Sequence, residues 1–225
     1  MQEEQNKILK EKAYPVLENL KEMARETGVL KPKAIYGYYY CVSSGNDLII
    51  LDEDKKTELQ RFTFPRQKDR DSLCISDFFI DVENKEDKVD IVAFQVVTVG
   101  EEASQYSKQL FDNDKYTDYL FFHGFSVEVT EALAEWVHKR IRTELDFHHD
   151  DAKEMRRLLG QGYQGSRYSF GYPACPYLED QTKMFELLKP ERIGVSLSES
   201  YQLHPEQSTS AIVVHHSQSK YFNVS

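Results

Sequence analysis

The chain has 225 residues, and its 28 Lys and Arg against 38 Asp and Glu give a formal net charge of −10. Because binding to nucleic acid or to anionic membranes depends on basic surface, neither is an expected partner. Three cysteines are too few for a disulfide framework, and their odd number favours a reducing, cytoplasmic setting. No apolar run approaches the roughly 20 residues that a membrane helix needs.

The first third of the chain predicts one helix followed by strands. Apolar residues at helical spacing predict an amphipathic helix over residues 3–27, kinked or divided at Pro15 and stopped by Gly28. Residues rich in Tyr, Ile and Val flank a polar turn at residues 43–47, which is the pattern of a hairpin. The predicted strands are residues 34–42, 48–51 and 59–64.

The rest of the chain mixes helices and strands without a regular βαβ alternation. A strand is predicted at residues 90–99, before a long helical stretch over 101–145 that breaks near 112–114 and, as an alternative, also at Gly124. The remaining predicted elements are helices at 151–159 and 180–188, the second with Asp180 as N-cap, and a strand at 211–216. The pattern predicts an α+β fold around a mainly antiparallel sheet.

The segment Gly165–Pro176 combines an arginine, two glycines, two prolines and three aromatic residues. Pro173 and Pro176 fix φ and remove backbone donors, while Gly165 and Gly171 allow conformations that other residues resist. The segment is therefore predicted to be a rigid, irregular loop and not a plain helix or strand. Such a loop offers amides, carbonyls, a guanidinium and aromatic faces to a ligand.

This segment resembles the signature of the activation, or reactivation, domain of cobalamin-dependent methionine synthase, in which an arginine precedes Gly-Tyr-Pro-Ala-Cys-Pro by a few residues. Further blocks agree in the family's order: Leu30–Ala34, Leu73–Phe78, His123–Glu128, Glu131–Glu135, Leu197–Ser200 and Ser219–Phe222. The resemblance covers nearly the whole chain. It implies one curved α+β domain over residues 1–225, with residues 1–30 as an N-terminal helical region.

The resemblance also implies a ligand, S-adenosylmethionine, held in a shallow groove without a general base. The residues carried over from the family are Asp77, Arg167, Tyr172, Tyr221 and Phe222, with Glu131 and Glu199 as two further acidic positions. On charge grounds we expect Asp77 near the ligand's ammonium group and Arg167 near its carboxylate. Either glutamate would lie near the ammonium or the sulfonium. Backbone groups of residues 170–174 would recognise the adenine ring.

Each of these residues also has an ordinary structural interpretation. Asp77 can cap a turn before two phenylalanines, Arg167 can pair with any carboxylate, the aromatic residues can be core, and both glutamates can be surface residues. Cys175 is expected to be a small buried thiol. No metal ligation is expected at residues 148–149 or 215–216, because adjacent histidines are not expected to converge on one ion.

The family's reaction is the repair of an inactive cobalt(II) cofactor, which is reduced and then methylated by S-adenosylmethionine. The resemblance therefore implies a methyltransferase that is incomplete alone, either an excised domain or a separate subunit. Its partners would be the cobalamin-binding domain of methionine synthase and an electron donor such as flavodoxin. A basic cluster at Lys139, Arg140 and Arg142 could receive an acidic donor, or it could be a solvated helix face. The alternative function is a non-catalytic module that senses S-adenosylmethionine or docks to a corrinoid protein.

Overall fold

The computed structural model describes residues 9–68, 71–84 and 88–224. A π-helical turn, Leu9–Ala13, leads into helix α1, Tyr14–Thr27. Pro15 lies in the first turn of α1, directly after the π-helical turn, so the predicted division of the helix at Pro15 is confirmed. Gly28 ends the helix in the left-handed conformation, as predicted. The predicted helical residues 3–8 lie outside the described part of the chain.

The chain then builds four antiparallel strands, of which the fourth pairs with the first. These are β1, Lys33–Ser44; β2, Asp47–Leu51; β3, Glu58–Thr63; and β4, Asp90–Thr98. A short 3₁₀ helix, Ile75–Phe78, interrupts the connection from β3 to β4. The predicted hairpin and third strand are confirmed, and the turn between β1 and β2 contains only two residues, 45 and 46.

The second half contains the remaining helices and strands. These are α2, Glu101–Asp112; α3, Tyr116–Glu144; α4, Met155–Leu159; β5, Ser166–Ser169; α5, Gln181–Leu188; β6, Ser196–Leu197; β7, Leu203–His204; and β8, Ser208–Val214. Further 3₁₀ turns are Leu178–Asp180 and Pro190–Ile193. The helical stretch breaks where predicted, near residue 113, but α3 continues through Gly124.

The main sheet has six strands in the order β3-β2-β1-β4-β8-β5, and all neighbouring pairs are antiparallel. Strands β6 and β7 form a separate two-stranded sheet. The α+β fold with a mainly antiparallel sheet is confirmed. Strand β5 is the last in the main sheet, so it offers one edge that no further strand of that sheet covers.

The two faces of the main sheet are covered differently. Alternate residues of β4 and β8 pack on α3, through a cluster that includes Val97, Val213, Val137 and Ile141. The other face carries the larger core of aromatic and aliphatic side chains, which includes residues of α5, β5 and the chain end. Because side chains alternate along a strand, neighbouring residues of β5 face these two different layers. Among the described residues, no helix has the length and apolar character that a membrane span requires.

Candidate functional site

The signature segment begins as a regular strand, which the sequence prediction of an irregular loop missed. Residues 166–169 form β5 and pair with β8. Gly165 precedes it with φ of +89°, and a Cβ there would lie 2.6 Å from the carbonyl oxygen of Val214. The predicted irregular path begins only after the strand, in a turn where the amide of Gly171 donates to the carbonyl of Cys175 at 2.8 Å. Gly165 thus precedes the strand, and Gly171 begins the turn that follows it.

Arg167 lies on the face of β5 that looks toward α3, opposite Val213 in the neighbouring strand. Its Nη2 donates to Oε2 of Glu131 at 3.1 Å, and the two side chains are 17% and 51% exposed. The Nη1 atom of Arg167 is buried and has no hydrogen-bond partner among the described residues. The structure therefore brings together two of the predicted site residues and leaves donor capacity on the arginine.

Asp77 has a local structural role. It lies in the 3₁₀ helix, where its Oδ2 accepts the backbone N–H of Cys74 at 2.9 Å. Both carboxylate oxygens also accept from the guanidinium of Arg66, each at 2.7 Å. The interpretation that Asp77 caps a turn is confirmed, and its contact with a ligand stays a prediction.

The C-terminal segment joins the Asp77 region to β5. Phe222 is 5% exposed, and its ring lies 6.4 Å from that of Phe78 and 5.9 Å from that of Tyr168, between centroids. The hydroxyl of Tyr168 donates to the carbonyl of Lys220 at 2.8 Å. Tyr221 alternates with these residues and is 42% exposed. The Phe222 ring is thus a core side chain, and only its backbone is available to a ligand.

Tyr172 and Glu199 are both exposed and occupy separate turns. Tyr172 is 58% exposed in the turn that follows β5. Glu199 lies in the turn between β6 and β7, where the hydroxyls of Ser198 and Ser200 are 3.1 Å apart. The contacts described above do not include Glu199, so its membership of the site rests on the resemblance alone.

A buried polar cluster behind Arg167 is the part of the region that the sequence analysis missed. Arg142, predicted to belong to an exposed basic cluster, is completely buried, while Lys139 and Arg140 are exposed. That prediction is wrong for Arg142 because the helical spacing of Ala134, His138 and Arg142 places all three on a buried stripe of α3. The same spacing was visible in the sequence and would have identified it.

The other chemical groups discussed above take ordinary positions, with one exception. Cys175 is buried, and burial raises the pKa of its thiol, as expected for an unreactive residue. The argument that adjacent histidines diverge does not hold in the loop after α3. There, ligand atoms of Asp146, His148 and His149 lie within 4.8 Å of one another, although His149 and Asp146 are exposed and already hydrogen-bonded at 3.0 Å.

A groove in the described part of the chain lies away from the predicted site residues. A groove of about 610 Å³ lies over the β1–β2 region, lined by Tyr38, Tyr39, Tyr40, Leu51, Asp52, Glu53, Leu59 and Ile91. None of the predicted site residues lines it. We follow the pair formed by Arg167 of β5 and Glu131 of α3, because it combines opposite charges with partial exposure.

Comparison with known proteins agrees with this architecture. The methionine synthases of Mycobacterium leprae and Mycobacterium tuberculosis are 49% and 48% identical to the chain over 208 residues. Those residues cover 88% of this chain but only 17% of each relative, so the chain spans a small part of those proteins. The crystal structure of the MetH reactivation domain bound to AdoHcy matches with a TM-score of 0.86 at 23% identity, covering 97% of this chain and 71% of that one.

The family model for the activation domain of vitamin B12 dependent methionine synthase matches residues 1–225. The match and the close relatives agree with the resemblance carried by the signature segment. The chain belongs to the family of vitamin B12 dependent methionine synthase activation domains.

Proposed function

We propose that the chain binds S-adenosylmethionine at the free edge of β5 and supports the reductive reactivation of methionine synthase. The observation that carries the proposal is the Arg167–Glu131 pair, which places opposite charges 3.1 Å apart between the edge strand β5 and helix α3. A zwitterionic amino acid end needs such a pair, because it presents a carboxylate and an ammonium group together. The solved relative of the same fold carries AdoHcy, the demethylated form of this ligand.

In this proposal Arg167 binds the ligand's carboxylate through the part of its guanidinium that stays exposed, since 17% of the side chain is accessible. Asp77 receives the ammonium, in competition with Arg66, and Glu131 or Glu199 lies near the ammonium or the sulfonium. The exposed rings of Tyr172 and Tyr221 can pack on flat or cationic parts of the ligand, while Phe222 contributes only its backbone.

The proposed chemistry needs positioning and no general base. A sulfonium loses its methyl group as a neutral thioether, so the S–C bond breaks and a bond from carbon to cobalt(I) forms without proton transfer. The cobalamin would be carried by the cobalamin-binding domain of the larger enzyme, and an electron donor such as flavodoxin would supply the preceding reduction. The three free, buried cysteines are in keeping with the reducing cytoplasm in which we place this reaction.

Calorimetry with S-adenosylmethionine and with S-adenosylhomocysteine tests the binding step. We expect the wild-type chain to bind both, and Arg167→Ala to bind at least about tenfold more weakly because a charge-assisted contact is lost. Arg156→Ala is the matched control, since Arg156 is exposed on α4. Equal affinity of wild type and Arg167→Ala would place the ligand elsewhere.

A second experiment separates an enzyme from a sensor. The chain is mixed with a cobalamin-binding domain, a low-potential reductant and S-adenosylmethionine labelled in its methyl group. Label on cobalt, dependent on the chain, supports the methyltransferase. Ligand binding with no transfer of label supports the alternative of a sensing or docking module.

A further inference from the structure

The guanidinium of Arg142 is buried in the interior, with 0% of the side chain exposed. A buried charge is tolerated only when partners compensate its lost hydration. Its Nε and Nη2 donate to the carboxylate of Asp151 at 3.1 and 3.0 Å. Its Cζ atom lies 3.9 Å from the centre of the Tyr163 ring. Asp151 and Tyr163 belong to the connection between α3 and β5. Arg142 therefore links that connection to helix α3 through these contacts.

Arg142 has a third partner on its own helix. Its Nη1 lies 3.6 Å from Oε1 of Glu135, close enough for charge attraction but too long for a good hydrogen bond. Oε2 of Glu135 accepts from the Tyr163 hydroxyl at 3.4 Å. Glu135 is one helical turn beyond Glu131, the partner of Arg167. One buried arginine thus contacts both a carboxylate beside the candidate site and the segment that leads into β5.

The cluster is also coupled to Arg167 by charge. Burial raises the pKa of Glu135, while the charges of Arg167 and Arg142 act in the opposite direction. Glu135 Oε1, Arg142 Nη1 and Arg167 Nη1 are all buried and lack hydrogen-bond partners among the residues described. The guanidinium groups of Arg142 and Arg167 are therefore both attracted to Glu135, so the charge of Arg142 affects how strongly Arg167 is attracted to α3.

We propose that Arg142 is a positioning residue for the candidate site, holding Glu135 and the start of β5 so that Arg167 keeps its ligand-facing orientation. The inference rests on the proposed function, since it concerns how Arg167 meets the ligand. Arg142 itself stays behind the site and does not touch the ligand. A purely structural arginine would change stability alone, whereas a positioning residue also changes the affinity of the folded protein and its pH dependence.

The pH dependence follows from the groups that face Glu135. These are His138 and Arg142 on α3, Tyr163 on the connection and Arg167 on β5, while Asp151 and Glu131 act through their bonds to Arg142 and Arg167. Burial lowers the pKa of His138 far enough that it is neutral at pH 7. Removing the Arg142 charge would raise the pKa of Glu135 further, so Glu135 would protonate at a higher pH and Arg167 would lose one attraction.

The test measures the affinity for S-adenosylhomocysteine by calorimetry over a pH series that runs from about 8.5 down toward the usual glutamate pKa of about 4.3, with unfolding by denaturant in parallel. Arg142→Met is expected to bind at least about tenfold more weakly while folded, because small displacements of a positioning group are costly. Its affinity should fall further as the pH is lowered, and wild type should be flatter over this range. Arg142→Lys keeps the charge but not the planar fork, so an intermediate loss is expected.

The double variant Glu135→Gln with Arg142→Met removes both charges and should lose the added pH dependence. Arg140→Met is the matched control, because Arg140 is an exposed arginine of the same helix, and it should bind like wild type. If Arg142→Met does not fold, Arg142→Lys and the double variant still test whether Arg142 positions the site. Folded variants with wild-type affinity and pH profile would overturn the inference alone, whereas a wild type that binds no S-adenosylhomocysteine would refute the proposed function as well.

Discussion

Asp77 has a structural role and a proposed ligand role, and two substitutions separate them. Asp77→Asn removes the charge but keeps an oxygen for the backbone N–H of Cys74, whereas Asp77→Ala removes both. Arg66→Met is the matched control, because it breaks the same ion pair and leaves the carboxylate in place. The two Asp77 variants therefore separate the cap from the negative charge, while Arg66→Met breaks the ion pair together with the bonds that Arg66 donates to Asn46 and to the carbonyl of Ser72.

The contacts give the expected magnitudes. The Arg66–Asp77 pair is about a third exposed on each side, so its loss should lower the free energy of unfolding by only about 0.2–1 kcal/mol. Asp77→Ala should lower it by about 1 kcal/mol more, the typical value of a lost capping bond. If Asp77 binds the ligand's ammonium, Asp77→Asn should weaken binding by about 1.5–3 kcal/mol, roughly ten- to hundredfold.

Denaturant unfolding and calorimetry with S-adenosylhomocysteine give these quantities for the same preparations. Arg66→Met should bind as well as wild type or more tightly, because the ligand's ammonium no longer competes with a guanidinium for Asp77. The reasoning fails if Asp77→Asn and Arg66→Met both keep wild-type affinity. Asp77 would then be a turn cap only, and the ammonium would belong to another carboxylate.

Three further substitutions test the framework around the site. Phe222→Ala should lower the free energy of unfolding by about 3–5 kcal/mol, because it empties a buried position, and a loss below 1 kcal/mol would show that the chain end is not packed there. Gly165→Ala should destabilise by at least about 1–3 kcal/mol, given φ of +89° and the nearby Val214 carbonyl; a normal melting temperature would contradict the local geometry. The Tyr38 hydroxyl lowers the pKa of Glu144 more than any other group does. The stability of the protein should therefore fall as the pH drops below the unfolded pKa of about 4.3, and this fall should be less steep in Glu144→Gln. Parallel pH profiles of the two proteins would contradict that contact.

The sequence predicted the β1–β2 hairpin and the end of α1 because local signals determine them. Gly28 takes the left-handed conformation that ends the helix, and the polar turn needs only two residues to reverse the chain. Strand β5 was missed because its signals are not local. The four residues of β5 are too few to carry an apolar pattern of their own, and β5 forms because β8 lies beside it.

The residues of the candidate site could be predicted from the sequence, but the ion pairs that they form could not. Arg167, Glu131 and Asp77 came from the resemblance, which did not predict that Asp77 pairs with Arg66, 11 residues away in sequence. The Glu131–Arg167 contact joins residues 36 positions apart. Such a contact depends on how α3 crosses the sheet, which a single sequence does not specify.

The orientation of Arg167 follows from the register of a short edge strand. Side chains alternate along β5, so a slip of one residue would turn Arg167 into the aromatic core and Tyr168 toward α3. With only four residues, β5 has few ladder bonds to prevent that slip. The register is instead fixed at its ends, by Gly165 packed against β8 and by the Tyr168 hydroxyl bound to the carbonyl of Lys220. The proposed ligand site on this edge strand therefore depends on a buried aromatic anchor, Tyr168, directly beside its charged residue.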